Sequence, residues 1–173
     1  MPVAVVMAAA GPAAAEPPRS LRLAVDGVLP FAAWDQTAGP GGGGSIAATI
    51  EVEPELEITA RVGVVAHRGV TTAGVTTRVL EAPIVGGARY GVARIGRARG
   101  FAFGEVGVRA TRTTVAVAGV RDHDSALGFA AAIGGGVAYG RVDLQVAAWL
   151  ADLGDLDHGV GVTAALGVEL VRW

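Results

Sequence analysis

The sequence predicts an all-β chain, an eight-stranded antiparallel up-and-down transmembrane β-barrel, from three observations. Residues 56–67 put an apolar side chain at every second position, with Glu57, Thr59 and Arg61 between them, and this pattern recurs along the chain. A strand turns alternate side chains to opposite faces, so each such segment is a ribbon with one apolar and one charged face. Gly, Val and Thr are abundant while helix formers such as Lys and Gln are scarce, which favours strands. No segment offers the ~20 consecutive apolar residues of a spanning helix, so any membrane crossing would be made by strands.

The chain has 173 residues, half of them apolar, and a formal charge of -2. That length fits one domain, and the near-neutral balance gives no reason to expect a nucleic-acid partner. Cysteine is absent, which excludes a disulfide framework and a thiolate metal site. Residues 1–15 form an apolar, Ala-rich run ending in Ala13-Ala14-Ala15 and followed by Glu16-Pro17-Pro18. This matches the h-region and small-residue cleavage site of a signal peptide, although no Lys or Arg precedes it. The expected organisation is a signal peptide over 1–15 and a barrel domain over 16–173; the plain alternative is a disordered Ala/Pro-rich leader.

Eight strands are expected, at 20–29, 45–53, 56–67, 77–90, 99–113, 126–139, 142–151 and 159–173. The second carries Ile46, Ala48, Ile50 and Val52 on one parity, and the third Leu56, Ile58, Ala60, Val62 and Val64. Leu80, Ala82 and Ile84 mark the fourth, Val106 and Val108 the fifth, Ile133 and Val137 the sixth. Val142, Leu144, Val146 and Leu150 mark the seventh, and Val160, Val162, Leu166, Val168 and Leu170 the last. Most of these segments reach the ~9–11 residues that a tilted strand needs to cross a bilayer. The expected connections alternate between long ones (30–44, 68–76, 114–125, 152–158) and tight ones (Pro54-Glu55 and Gly140-Arg141), with 91–98 as the exception. Long loops on one rim and short turns on the other are the habit of outer-membrane barrels.

The opposite parity carries Glu51, Glu57, Arg61, Glu81, Arg89, Glu105, Arg109 and Asp143, with Gln145 and Glu169. An eight-stranded barrel has an interior just wide enough for side chains to fill. Unpaired charges there would be costly, so a salt-bridged lumen network is expected; partner exchange among the same pairs would make a gate. Carboxylates outnumber arginines in this set, which would leave an acid protonated or hydrated. A soluble lipocalin-like barrel would turn the apolar face inward instead. The aromatics argue for lipid: Tyr90, Phe101, Phe103, Tyr139 and Trp173 fall at the short-turn rim, and Phe31, Trp34, Phe129 and Trp149 at the other, as two interfacial girdles would.

Several motifs are similar to those of the small outer-membrane β-barrel domain family, which includes OmpA-like and OmpX-like eight-stranded barrels. They are Leu80-Glu81-Ala82-Pro83-Ile84 leading to Ala88-Arg89-Tyr90, Phe103-Gly104-Glu105-Val106-Gly107-Val108, the stretch 134–144, and a last strand closing with Trp173. The resemblance covers most of the chain after residue 15. It implies residence in the outer membrane of a Gram-negative-type cell, in contact with its lipids. It also implies insertion by the barrel-assembly machinery, with Trp173 as the assembly signal. Trp173 falls in register with Glu169 rather than Leu170 unless a bulge intervenes.

The remaining constellations are weaker. His67, His123 and His158 all fall on the long-loop rim near Asp122, Asp124, Asp152, Asp155 and Asp157, a set of cation-ligand types that polar loops also collect simply by facing water. His123-Asp124-Ser125 resembles the His-x-Ser element of a lipid A deacylase barrel. Here Ala126 replaces the Asn that follows the Ser, and no Glu occurs before Glu169 to orient the base. Residues 41–44 are expected to be a flexible Gly loop, Gly134-Gly135-Gly136 a close approach within a strand, and Arg94, Arg97 and Arg99 a basic periplasmic turn. The expectation is a monomeric, non-enzymatic barrel with a structural or surface-interaction role, a side-chain-filled lumen and no cofactor. A narrow channel for small or hydrophobic solutes, a lipid-modifying hydrolase and a soluble periplasmic ligand-binding barrel are the alternatives.

Overall fold

The computed structural model describes residues 17–31, 37–150 and 160–173; the expected signal peptide, Trp34 and His158 lie outside them. Within these residues the alternation becomes β1 (Arg19–Pro30), β2 (Gly41–Glu53), β3 (Leu56–His67), β4 (Val70–Thr72), β5 (Val75–Ile95), β6 (Ala98–Val117), β7 (Val120–Tyr139), β8 (Val142–Leu150) and β9 (Val160–Arg172). Neighbours pair antiparallel in the order β3-β2-β1-β9-β8-β7-β6-β5-β4, and β3 also pairs with β5. That pairing closes a ring of 8 strands, leaving β4 as a short hairpin partner of β5 outside it. Closure removes the free edges that an open sheet exposes. The β3–β5 ladder passes from Val62↔Ile84 to Val65↔Glu81 without a shift and skips two positions, those opposite Ala82 and Pro83, the latter having no N–H to donate.

The two faces divide as the alternation requires. Val25 (67 % exposed), Ile84 (60 %) and Ile133 (69 %) stand outward with Leu23, Ile46, Val62, Val106, Leu144 and Val168. Asp26, Thr49, Glu57, Glu81, Arg89, Glu105 and Asp143 are buried inside. The lipocalin-like orientation is therefore excluded: the buried charges lie inside, beside a smaller apolar cluster around Trp149, and branched aliphatics cover the exterior. On β5 the outer face from Tyr90 to Leu80 rises about 25 Å, at ~3.3 Å per residue and ~40° tilt, the height of an outer-membrane apolar band. Trp173 joins this outer face because a bulge at Leu170 shifts the β1–β9 register, so that Leu21 faces Val171 while Arg22 faces Glu169.

Four stretches expected in loops are strands, among them β4 and the start of β5 within 68–76. Residues 41–44 pair with β1 on one side and β3 on the other, because glycines held between two ladders fill their backbone hydrogen bonds as any strand does. Residues 114–125 continue β6 and β7 through a two-residue turn, Ala118-Gly119, whose φ values of 47° and 86° are those of a type I′ hairpin. Residues 91–98 shrink to the turn Gly96-Arg97, with a bulge near Gly91. Alternation fails as a test above the rim: both faces of a sheet that projects into water carry polar groups, as in His123-Asp124-Ser125 against Arg112-Thr113-Thr114. The result is that β5, β6 and β7 have 21, 20 and 20 residues while β8 has 9.

The aromatic expectation holds only in part. Phe31, Tyr90, Phe129, Tyr139 and Trp173 are exposed on the outside, but Phe101 and Trp149 are only 2 % and 4 % exposed and point inward with Phe103. Their parity is that of Glu105 and Gln145, and strand-end position alone did not reveal it.

Candidate functional site in the barrel lumen

The inward side chains stack in three layers along the barrel. The layer nearest the rim that carries Arg19 and Trp173 centres on Glu57. Arg99 Nη2 donates to Glu57 Oε1 at 2.8 Å, and Arg22 and Arg89 approach Glu57 Oε2 at 3.5 and 3.9 Å. The same two arginines reach Asp143 at 3.5 and 3.7 Å, and Gln145 Nε2 donates to the other Asp143 oxygen at 2.7 Å. Glu169 closes this layer at 3.9 Å from Arg22. In the middle layer Arg61 forms a two-pronged pair with Glu105, its Nε donating to Oε1 at 3.2 Å, and faces Asp26 at 3.9 Å. A fork of this kind fixes both direction and position of a guanidinium. In the far layer Arg109 Nη1 donates to Glu81 Oε1 at 2.6 Å, and His67 Nε2 lies 3.7 Å from the same oxygen.

Cross-strand complementarity fills the space between the charges. Each interior aromatic of β6 and β8 faces a small residue of β7 in the pairing register: Phe101↔Gly136, Phe103↔Gly134 and Trp149↔Ala132. A Cβ at Gly136 would sit 2.5 Å from the Phe101 ring, so only glycine leaves that slot open. Arg89 in turn stacks its guanidinium 3.2 Å above Phe101, coupling the aromatic packing to the Glu57 layer. Trp149 packs with Val28, Val65, Val85, Ala130 and Ala132 toward the far rim. What remains are a cavity of about 40 Å³ below Arg61 and one of about 20 Å³ above it, both bounded by Arg61, Asp26 and Ser45. At ~10–15 Å³ per water centre these hold a few waters at most. Ala132, Gly134 and Gly136 thus receive rings, and Ala130 is buried in the cluster with Trp149, so these small residues open no passage.

Of the sequence-derived lumen residues, Glu57, Arg89 and Asp143 come together in one layer, Arg61 and Glu105 in a second, and Glu81 and Arg109 in a third. Glu51 lies at the mouth beside Arg19, Thr49 and Arg172 and makes no ion pair among the described residues. Arg22, Asp26 and Arg99 belong to the network although the sequence reading left them out. Arg22 and Asp26 share a parity with the buried Ser20 and Val28, and Arg99, the first residue of the expected strand 99–113, shares the parity of Phe101 and Glu105; both signals are legible, although Arg99 also reads as part of a basic turn with Arg94 and Arg97. Arg22 and Arg99 also supply the cations that the expected surplus of acids lacked.

His67 corrects the loop-histidine reading. Its side chain is fully buried and its Nδ1 donates to the Gly39 carbonyl at 2.8 Å, which turns Nε2 toward Glu81. His123 is exposed on β7, where its Nδ1 shares a 3.0 Å hydrogen bond with the Thr114 hydroxyl. Ser125 follows on the same face, while the Asp122 and Asp124 carboxylates accept backbone N–H groups of His123 and Ser125 at 2.8 and 2.9 Å. His123 therefore turns to a hydroxyl where a hydrolase triad would place a carboxylate. Among the described residues no three His, Asp or Glu side chains converge as metal ligands.

No protein-family model matches the chain, and no curated protein matches it by sequence. Solved structures do. Ail, the attachment invasion locus protein of Yersinia pestis, aligns with a TM-score of 0.66 at 13% identity over 92% of this chain and 100% of its own. A major outer membrane protein from Thermus thermophilus gives 0.54 at 13% identity, covering 89% of this chain and all of that one. The N-terminal β-barrel domain of Pseudomonas aeruginosa OprF gives 0.50 at 15%, over 89% and 97%. At such identities the likeness is one of fold. This chain has the eight-stranded up-and-down barrel fold of small outer-membrane proteins.

Proposed function

We propose that the protein resides in the outer membrane of a Gram-negative-type cell as a monomeric barrel closed by its own side chains, with a structural or surface-interaction role and no enzymatic activity. Residues 1–15 serve as its export signal, outer-membrane lipids surround it, and the barrel-assembly machinery inserts it with Trp173 as the signal. The bulge that brings Trp173 onto the apolar outer face supports that last assignment. The observation that carries the reading is the distribution of polar groups. Inside the ring they neutralise one another as a plug; beyond it they cover the sheet that β5, β6 and β7 extend past one rim. Ail, an attachment protein by its printed name, has a similar fold, which supports a surface role.

The cavities on either side of Arg61 favour a narrow conduit as the second reading, with Arg61 as its barrier. Planar-bilayer recording decides between them. The wild-type barrel is expected to stay at the bare-bilayer background, while Arg61→Ala, which joins the two cavities, raises conductance to a resolved step. Steady wild-type conductance abolished by swapping the Arg61 charge would establish the conduit instead.

A further inference from the structure

The register of the projecting sheet gathers three arginines and a histidine onto one face. Thr114 of β6 faces Arg78 of β5 and His123 of β7, Arg112 faces Leu80 and Ser125, and Ala116 faces Arg121. The Thr114–His123 hydrogen bond confirms that these side chains share a side. The ladders carry no shift from here down to Ala82↔Ala110↔Leu127 and Ile84↔Val108↔Phe129, so this side continues the apolar outer wall of the barrel. The acids of the segment, Asp122 and Asp124, face Val115 and Thr113 and thus belong to the other side. Arg78, Arg112 and Arg121 are exposed and have no carboxylate partner among the described residues. At the boundary a surface groove of about 410 Å³ has Arg112 and Ser125 at its polar end and Leu80, Ala82, Ala110 and Leu127 along its apolar floor.

We propose that this groove and the arginines above it bind a phosphorylated glycolipid of the outer leaflet, with an acyl chain against Leu80 and Leu127 and phosphates against Arg112, Arg78 and Arg121. Unpaired guanidiniums at the upper edge of an apolar band sit at headgroup height, and their planar forks match phosphate oxygens. A soluble polyanion would use the charges but not the apolar floor that is continuous with them. The assignment rests on the outer-membrane reading and names the lipid partner of that surface.

The test uses the full chain folded into phosphatidylcholine vesicles containing a minor fraction of bisphosphorylated lipid A, or of lipid A stripped of both phosphates. Lipid retained by the released protein is read by native mass spectrometry. Wild type is expected to retain the phosphorylated lipid selectively. The triple variant Arg78→Gln/Arg112→Gln/Arg121→Gln is expected to lose retention roughly a hundredfold, at about fivefold per arginine. Arg97→Gln/Arg141→Gln at the opposite rim should retain lipid as wild type does. Equal retention by the triple variant, or equal retention of the dephosphorylated lipid, overturns the proposal. So does a triple variant that loses only binding to a soluble heparin fragment. Insertion into phosphatidylcholine alone, read as a heat-modifiable gel band, is scored separately. Failure there removes the membrane reading and this proposal with it, whereas insertion without phosphate-dependent retention removes the proposal alone.

Discussion

Replacing Glu57 by Leu is expected to destabilise the barrel by about 3–5 kcal/mol, the usual consequence of leaving a buried cation without its partner. Glu57 is 2 % exposed and meets Arg22, Arg89 and Arg99, so its loss leaves Arg22 and Arg89 to share Asp143, with Glu169 near Arg22, and leaves Arg99 only the half-exposed Glu55. The Arg89 stack on Phe101 carries the disturbance into the aromatic packing. Equilibrium urea unfolding in phospholipid vesicles, followed by the gel shift between folded and unfolded forms, measures the loss. A second substitution, Arg99→Leu, should recover part of it, because removing both partners of a buried pair is far less harmful than removing one. An unchanged midpoint for Glu57→Leu would mean that water, rather than the arginines, solvates this carboxylate.

Ile84→Arg gives the second large effect, and for the opposite reason. Ile84 is 60 % exposed and stands halfway up the apolar band, between Tyr90 and the rim above Leu80. A surface position facing water tolerates such a change within about ±0.5 kcal/mol. At the midplane of a bilayer arginine costs about 2–4 kcal/mol. The same substitution at Val117, 47 % exposed at the tip of the projecting hairpin, is expected to be neutral. Comparing the two urea midpoints separates lipid from water as the solvent of the outer wall. Equal and negligible effects at both sites would place Ile84 in water.

The barrel was legible because its interior is narrow. With room only for side chains, charges placed inward had to be paired, and the period of two exposes those charges in β3, β5, β6 and β8. Three features escaped. Strand ends above the rim carry no alternation, so the full lengths of β5, β6 and β7 are not legible, and Arg99 at the opposite rim reads as a turn residue beside Arg94 and Arg97 although its parity is that of Glu105. The inward Phe101, Phe103 and Trp149 were credited to a lipid girdle by position along the strand, where parity was the deciding variable. His67 ends a strand and reads as a loop residue. Only the carbonyl of Gly39 and the carboxylate of Glu81, neither of them near His67 in sequence, show that it is a buried lumen group. The grouping of charges into three layers depends on strand stagger around the ring, which no single strand encodes.

Lipid as the solvent of the apolar outer wall fixes where the protein is found and how it runs on a gel. Membrane fractionation of cells expressing the full chain, followed by electrophoresis with and without boiling, tests it most directly. Recovery in the outer membrane is expected, with an unboiled band that migrates faster than the boiled one, as a compact barrel resistant to detergent does. Recovery as a soluble periplasmic protein with one band in both lanes would contradict it.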